Sequence, residues 1–380
     1  MSLTTSAHWM YNPGGGGFYD HEIDGSLRFE AGDSAYLSRN LVTDGNQKTF
    51  TISCWVKRSK LDGDIIMGRR IDGNNQWALQ FQSGGQLDFY NQIGGSISVR
   101  MITNAVFRDV SAWYHIVLKV DVTTGTSANA IYVNGVEQSL STDTSSNTNT
   151  FISSTGTHYI GQWQAGGSYD GYMAEFNFID GQALDASNFG ETKSGIWIPK
   201  QYSGSYGTMG FHLEFAGNAS DTSGNGNNWT ANNIAASDYV LDTPTNNFAT
   251  HNPLASLGGM TFFEGNTKVR HADIAAYNHA RSTMGMTSGK WYWEWYNSGS
   301  SGDAPNLLSG IVNDNVPINT SNGYVGQNTN SYGWNGTTGA RYYNNSNIGT
   351  ISVPTGDSSG VYMVAYDADN GDLYFGANGT

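Results

Sequence analysis

The chain has 380 residues, more than one sandwich-sized core requires, so two domains are expected. Charged residues make up 13% against an ordinary level of about 25%, and aromatic residues reach 13%, the reverse of a disordered composition. The formal net charge of −14 excludes a phosphate-tracking surface, and with it nucleic-acid binding, and disfavours anionic membranes.

Along the chain, residues 1–25 come first and differ from the rest. Asn12-Pro13 and the four glycines Gly14 to Gly17 cannot form a core element, because ordering them costs too much entropy. Trp9, Tyr11, Phe18 and Tyr19 bracket that run, which suggests a segment that anchors against another subunit; a frayed terminus is the alternative. The N-terminus has neither the basic nor the apolar region of a signal peptide, and no stretch approaches the roughly 18 apolar residues of a membrane span, so membrane insertion is not expected. The single cysteine, Cys54, lies in Phe50-Thr51-Ile52-Ser53-Cys54-Trp55-Val56 and reads as a small core hydrophobe; internal disulfides and Cys-based zinc sites are excluded.

Strand alternation recurs from there on. Leu87 to Tyr90 reads as a strand. In Trp113 to Asp121, Tyr114, Ile116, Leu118 and Val120 share one face, and His115, Val117 and Lys119 the other. Ile131-Tyr132-Val133 meets Asn134-Gly135, the dipeptide that supplies two positive-φ residues for a type I′ hairpin. Tyr172 to Ile179 and Phe211 to Phe215 are further strands, separated by a short capped turn at Ala183 to Phe189. Between Asn218 and Pro253 apolar residues thin out, and Trp229, Tyr239, Leu241 and Phe248 would anchor an ordered crossing. Beyond it, Trp291, Trp293 and Trp295 alternate with Tyr292, Glu294 and Tyr296, and Val361 to Tyr366 returns through Asn370-Gly371 into Leu373-Tyr374-Phe375. The expected fold class is all-β, with two antiparallel β-sandwich (jelly-roll) domains in tandem after a short N-terminal anchoring segment. The expected bounds are 1–25 for that segment, 26–230 and 257–380 for the sandwiches, and 231–256 for an ordered linker.

Candidate binding residues follow from chemistry. A ring that covers the apolar face of a sugar, beside amides that bond its hydroxyls, makes a glycan contact. Trp77 beside Asn74, Asn75 and Gln76, Trp163 with Tyr169 and its flanking glutamines, and Trp334 with Arg341 and Asn335 have that composition; core packing is the competing reading for each. Asp221, Asn225 and Asn227 are hard oxygen donors on a Gly-rich loop and are candidate Ca²⁺ ligands, although Asp and Asn also build such turns by capping their own backbone. Asp367, Asp369, Asn370 and Asp372 pose the same choice. Apart from that Ca²⁺, no cofactor is expected. The eight histidines show no metal-like spacing within one element.

Several runs carry a resemblance. Leu27-Arg28-Phe29, Ala35-Tyr36-Leu37, Phe50 to Lys57, Trp113 to Val117, Ile131 to Gly135 and Gly171 to Phe176, in this order and spacing, resemble the laminin-G-like, concanavalin-A-like lectin fold over about Ser26 to Thr230. The element Asp221 to Asn227, which often opens such a domain, here follows the last strand, so Phe211 to Phe215 is expected to close the sandwich. Ser288 to Glu294, Gly310-Ile311, Val361 to Asp367 and Leu373 to Gly379 resemble a SPRY domain over about Leu257 to Thr380, apparently incomplete at its C-terminus, so that the natural chain would continue or another chain would supply strands. The order of parts resembles structural proteins of tailed bacteriophages. That resemblance implies a virion protein made in the host cytoplasm: a tail fibre or appendage, commonly a homotrimer, that contacts other virion proteins and binds a host surface glycan or protein without catalysis. A head or tail decoration or adaptor is one alternative and a tailspike-type depolymerase another. Glucanases of this fold place two carboxylates at alternate positions of one strand, whereas here Glu175 shares its face with Asn177 and Ile179 while Asp180 falls opposite, so the pair is absent and no enzyme is expected.

Overall fold

A computed structural model describes residues 17–164, 166–257, 259–271, 279–297, 308–314, 323–336, 338–351 and 360–379. The chain divides into two compact units, Met1–Ala249 and Thr250–Thr380.

In the first unit the alternating runs form β1 (Ser26–Phe29), β2 (Tyr36–Leu41), β3 (Thr49–Arg58), β4 (Asp64–Arg70), β5 (Gln76–Phe81) and β6 (Leu87–Ile93). There follow β7 (Ser96–Thr103), β8 (Tyr114–Asp121), β9 (Ala130–Val133), β10 (Val136–Glu137), β11 (Leu140–Ser145) and β12 (Gly156–Ile160). The last are β13 (Gly171–Asp180), β14 (Gly190–Lys193), β15 (Ile196–Pro199), β16 (Phe211–Leu213), β17 (Thr230–Asn232) and β18 (Tyr239–Val240). One sheet runs β10-β9-β8-β3-β13-β1-β18, with β16 beside β13, and the other runs β11-β7-β6-β5-β4-β12-β2-β17. The pairings are antiparallel, both between consecutive strands such as β4–β5, β5–β6 and β6–β7 and between distant ones such as β3–β8, β3–β13 and β1–β13.

The core lies between the two sheets. On β8, Ile116, Leu118 and Val120 enter it, whereas His115 and Val117 face out the other side, as the alternation predicts. Cys54 packs in the same core, where burial pushes its thiol far above the ordinary range. Asn134 and Gly135 take φ values of 49° and 78° in the β9–β10 hairpin, and a short 3₁₀ turn at Ala186–Asn188 follows Asp185. Phe211–Leu213 pairs with β13, but it does not close the sandwich as expected: β17 on β2 and β18 on β1 follow it and complete the two sheets.

Three segments cover the outer face of the β8-β3-β13 sheet. Ile23 and Val240 join Trp55, Trp113, Tyr172 and Ala174 in one apolar cluster there, and Ala186, Phe189, Tyr202 and Tyr206 join Val117 and Ile179 in another. The return segment is pinned from below by Lys57, a buried residue whose ammonium donates to Asp242 Oδ2 (2.9 Å), Asn247 Oδ1 (2.8 Å) and the Phe248 carbonyl (3.0 Å). β18 pairs with β1, Ser26 Oγ donates to the Asp242 carbonyl at 2.6 Å, and the Ile23 amide donates to Thr245 Oγ1 at 3.0 Å. The stretch 231–256, read as a linker, is thus divided: residues through Ala249 belong to the first unit, and Thr250 opens the second.

The second unit begins with β19 (His251–Leu257), β20 (Met260–Phe263), β21 (Lys268–His271), β22 (His279–Ser282), β23 (Lys290–Asn297) and β24 (Leu308–Val312). It ends with β25 (Ser331–Asn335), β26 (Ala340–Tyr343), β27 (Ser346–Thr350), β28 (Gly360–Asp367) and β29 (Asp372–Ala377). The sheets are β19-β22, β20-β21, β23-β28-β29 and β24-β25-β26-β27. Trp334, Tyr362 and Ala377 form its buried centre, with the Trp295 ring stacked on Tyr362 at 4.2 Å.

Candidate functional site

The expected glycan contacts fall in different places. Trp77 is completely buried between the sheets of the first unit, because on β5 the residues Trp77, Leu79 and Phe81 point inward while Gln76 and Gln80 point outward. Its sequence neighbours therefore do not share its face, and it cannot touch a ligand. Tyr169 is also fully buried, edge-on to Phe29, with its hydroxyl donating to the Lys57 carbonyl at 3.1 Å. Trp334 is core in the second unit, against Tyr362 and Phe375, and half-buried Arg341 lies opposite it in register. Trp163 alone of these aromatics is half-exposed. Of the expected anchor residues, Trp9 and Tyr11 lie outside the described residues; Phe18 is exposed and packs edge-to-face on Tyr19 at 5.1 Å.

The candidate Ca²⁺ loop is occupied by its own backbone. Asp221 Oδ1 accepts from the amides of His212 and Ser223, both at 2.9 Å, and Oδ2 accepts from the Asn227 amide at 2.7 Å. Burial pushes that carboxyl up, and these amides more than offset it, holding it below the usual range. Asn225 Nδ2 donates to the Gly207 and Gly210 carbonyls, Asn227 Nδ2 donates to Thr208 and Gly210, and Asn227 Oδ1 accepts from Arg39. These side chains fasten one loop to another and do not converge on a shared point. The Asp367 hairpin tip behaves alike: Oδ1 accepts from the Asp369 and Asn370 amides at 3.2 Å each. Among the described residues no three His, Cys, Asp or Glu side chains group as a metal site.

Trp163 marks a different arrangement, the outer face of β4–β7. Register places Arg70, Gln76 and Gln92 in one row, Gly68, Ala78, Tyr90 and Arg100 in the next, and Ile65, Gln80, Asp88 and Ile102 in the third. The middle row is low, since Gly68 and Ala78 carry little or no side chain. The Trp163 ring packs with Ile65, Ala78 and Tyr90, and the Arg70 guanidinium lies 5.0 Å from its centroid. Across the row, Arg100 stands 5.9 Å from the Tyr90 ring and pairs with Asp88 through Nε at 3.2 Å and Nη2 at 3.0 Å. Asp88 also accepts from Gln80 and Gln82, and Gln76 donates to Gln92 at 2.8 Å. Burial pushes the Tyr90 phenol up to about 12, so it stays a donor at physiological pH. Trp163 Nε1 and Gln76 Oε1 are buried here with no hydrogen-bond partner among the described residues. Rings, amides and guanidinium donors on one open face suit a sugar. Of this set the sequence singled out Trp163 and mentioned Gln76 only as a neighbour of Trp77; Arg70, Tyr90, Gln92 and Arg100 emerge once the strands are in register.

The carboxylates of β13 are committed elsewhere. A register shift between Ala174 and Asn177, with Glu175 at φ 48°, is a β-bulge that leaves Met173 and Phe176 in the core and turns Glu175 outward. His212 Nε2 donates to Glu175 Oε2 at 2.9 Å, and His21 Nε2 makes an ion-pair contact with the same oxygen at 3.5 Å. Burial alone would raise this carboxyl; its contacts with His21 and His212 outweigh burial and hold it at about 2. Asp180 accepts from the amides of Asn46 at 2.7 Å and Met209 at 3.0 Å.

None of the curated proteins matches the sequence. Among similar solved structures, the native heptameric SAP-like pentraxin from Limulus polyphemus is 20% identical over 43% of this chain and 78% of its own, with a TM-score of 0.33. Mouse laminin α1 chain domains LG4-5 are 12% identical over 95% of this chain and 77% of theirs, with a TM-score of 0.37. Domain 4 of a GH43 extracellular arabinanase from Geobacillus stearothermophilus is 20% identical over 38% of this chain and 66% of its own, with a TM-score of 0.30. Residues 29–188 match the family model described as the Concanavalin A-like lectin/glucanases superfamily, the fold expected of this stretch from its sequence.

Proposed function

We propose that this chain is a bacteriophage virion protein, a tail fibre or similar appendage, and that its first unit binds a host surface glycan through the outer face of β4–β7. The observation that carries the reading is the convergence of half-exposed Trp163 and the buried Tyr90 with Arg70, Arg100 and the Gln76–Gln92 pair on one open sheet face. A single shallow face gives modest affinity, and presentation in several copies, a homotrimer on this reading, multiplies it. The second unit is the SPRY-like part of the same appendage. A non-catalytic role agrees with the carboxylates of β13, since Glu175 is held between two histidines and Asp180 by backbone amides.

One observation favours the alternative of a head or tail decoration or adaptor. On the β23-β28-β29 sheet, Tyr292 and Tyr374 fall in the same row, both more than half exposed, as is Tyr296 further along β23. Exposed aromatic rows of this kind suit contact with another virion protein. Mass spectrometry of purified particles for the polypeptide tests the virion assignment that both readings share, and an array of bacterial surface glycans probed with the full chain and with Trp163→Ala separates them. Receptor binding predicts retention of some glycan and at least a tenfold loss in Trp163→Ala; equal binding by the two proteins, or none by either, overturns it.

A further inference from the structure

The outer face of the other sheet carries a second concavity. A cleft of about 420 Å³ is lined by Tyr19, Trp55, Trp113, Trp197, Asn134 and Asn247, with Ile196 exposed at its rim. Small-ligand pockets run from about 300 to 1,000 Å³, so this one suits a ligand of one or two rings, not a long chain. It is assembled from the N-terminal segment, β3, the entry to β8, the β9–β10 turn, β15 and the return segment, all within the first unit.

Its walls are fixed. Trp197 stacks on His115 with centroids 5.9 Å apart, and His115 stacks on Trp55 at 4.7 Å, both at 24° between planes. Trp197 Nε1 donates to His115 Nδ1 at 3.0 Å, so the imidazole proton sits on Nε2 and is donated to Ser53 Oγ at 2.9 Å. A Cβ on either Gly135 or Gly190 would collide with the Trp197 ring, so two glycines make the slot that holds it. Burial pushes His115 down to about 3, which keeps the stack uncharged at physiological pH. An aromatic wall already held in place loses little freedom when a ligand docks.

The chemistry of the lining is neutral. Every residue lining the cleft is uncharged. The nearby ion pair is closed on itself: Lys57 donates to Asp242, Asn247 and Phe248, and Asp242 Oδ1 accepts from Trp113 Nε1 at 3.0 Å. The indole nitrogens of Trp113 and Trp197 are bonded to protein, and the partly exposed Trp197 ring offers carbon surface while Trp55 and Trp113 are buried. Asn134 Oδ1 accepts from the His115 amide at 2.8 Å, which fixes its carboxamide and leaves Nδ2 as a donor at the exposed rim. Carbon surface faced by an amide donor, without a charge, matches a pyranose ring: the rings cover its C–H face and the amide meets a hydroxyl. A cationic ligand would find aromatic rings here but no carboxylate in the lining.

We propose that this cleft is a second carbohydrate site, separate from the β4–β7 face, that takes a neutral hexopyranose unit of a glycan. The test uses the full chain with methyl hexopyranosides (gluco, galacto and manno, both anomers), read by saturation-transfer NMR and tryptophan fluorescence. Sialyllactose and choline serve as anionic and cationic comparisons. At least one neutral glycoside should bind at millimolar concentration, and Trp197→Ala and Ile196→Arg should each weaken it at least tenfold. Ile196 is exposed, so Ile196→Arg keeps the fold and separates a lost site from a misfolded protein. The proposal fails if no neutral glycoside binds, if Ile196→Arg binds as the wild type does, or if only sialyllactose or choline binds. It also fails if Ile196→Arg lowers the mass seen by light scattering, since the cleft would then be an interface between copies.

Discussion

Lys57→Met should loosen the first unit from its outer layer inward. Lys57 is 1% exposed and donates to three acceptors on the return segment, one of them the buried Asp242 carboxylate. Met preserves most of the stem's volume, so packing is little disturbed, but Asp242 is left with Trp113 Nε1 and a long 3.4 Å contact from the Phe248 amide. Asn247 Oδ1 and the Phe248 carbonyl lose their lysine donor as well. Removing one partner of a buried pair costs about 3–5 kcal/mol. For a unit of this size, at about 2–4 °C per kcal/mol, the melting midpoint should fall by roughly 6–20 °C. Asp242→Asn keeps an acceptor for the lysine and should cost less. The double variant Lys57→Met/Asp242→Asn strands no charge, so its cost should fall short of the sum of the singles by about 1–3 kcal/mol. Thermal and urea unfolding of the four proteins, followed by tryptophan fluorescence and near-ultraviolet circular dichroism, give the melting midpoints and close the cycle. A Lys57→Met midpoint within about 2 °C of wild type, or strict additivity, would refute the role given to this pin.

Two further outcomes are expected. Glu175 is held at about 2 against an ordinary 4.5, so its contribution is present above about pH 4.5 and is lost as pH falls toward 2; urea midpoints should decline over that window, and Glu175→Gln should remove on the order of 3 kcal/mol at pH 7 and flatten the decline. His21 is raised by its contact with the same carboxylate, so its smaller contribution has the opposite sense, being present at low pH and fading as pH rises through its elevated value. Because the Asp221 oxygens are taken by three backbone amides, melting curves in Ca²⁺ and in EDTA should coincide, while Asp221→Ala should cost about 2–3 kcal/mol; a Ca²⁺-dependent rise in the wild-type midpoint would contradict this.

The parts of the fold that were legible in the sequence are those that local chemistry decides. The two faces of β8 follow from alternation alone, and the β9–β10 turn follows from Asn134-Gly135, which both need positive φ. The candidate binding faces follow a different rule. Amides adjacent to Trp77 in sequence suggested a sugar contact, yet neighbours along a strand point to opposite sides, so that Gln76 and Gln80 reach the surface while Trp77 fills the core. Trp334 fails for a related reason: its ring is needed to cover Tyr362 and Phe375. Arg70, Tyr90 and Arg100 come together only through pairing across several strands, and the cleft collects Tyr19, Trp55, Trp113, Trp197 and Asn247 from distant parts of the chain. Nothing in a linear pattern records such register. The Glu175 bulge is likewise invisible until the strand is paired, because a two-residue period assumes that no residue is inserted.

The meeting of β1 with β18, together with the Ile23–Thr245 and Ser26–Asp242 hydrogen bonds, has a mechanical consequence. The polypeptide enters and leaves the sandwich along one sheet edge, so traction applied along the chain meets the short β1–β18 pairing before it reaches the strands further inside that sheet. Lys57, reaching from β3 to Asp242 and Phe248 beyond β18, is the rivet of that clasp. A tug strong enough to part it would peel away the flanking segments while leaving the barrel of hydrophobic contacts between the sheets intact, much as a bead stays whole when its string is plucked.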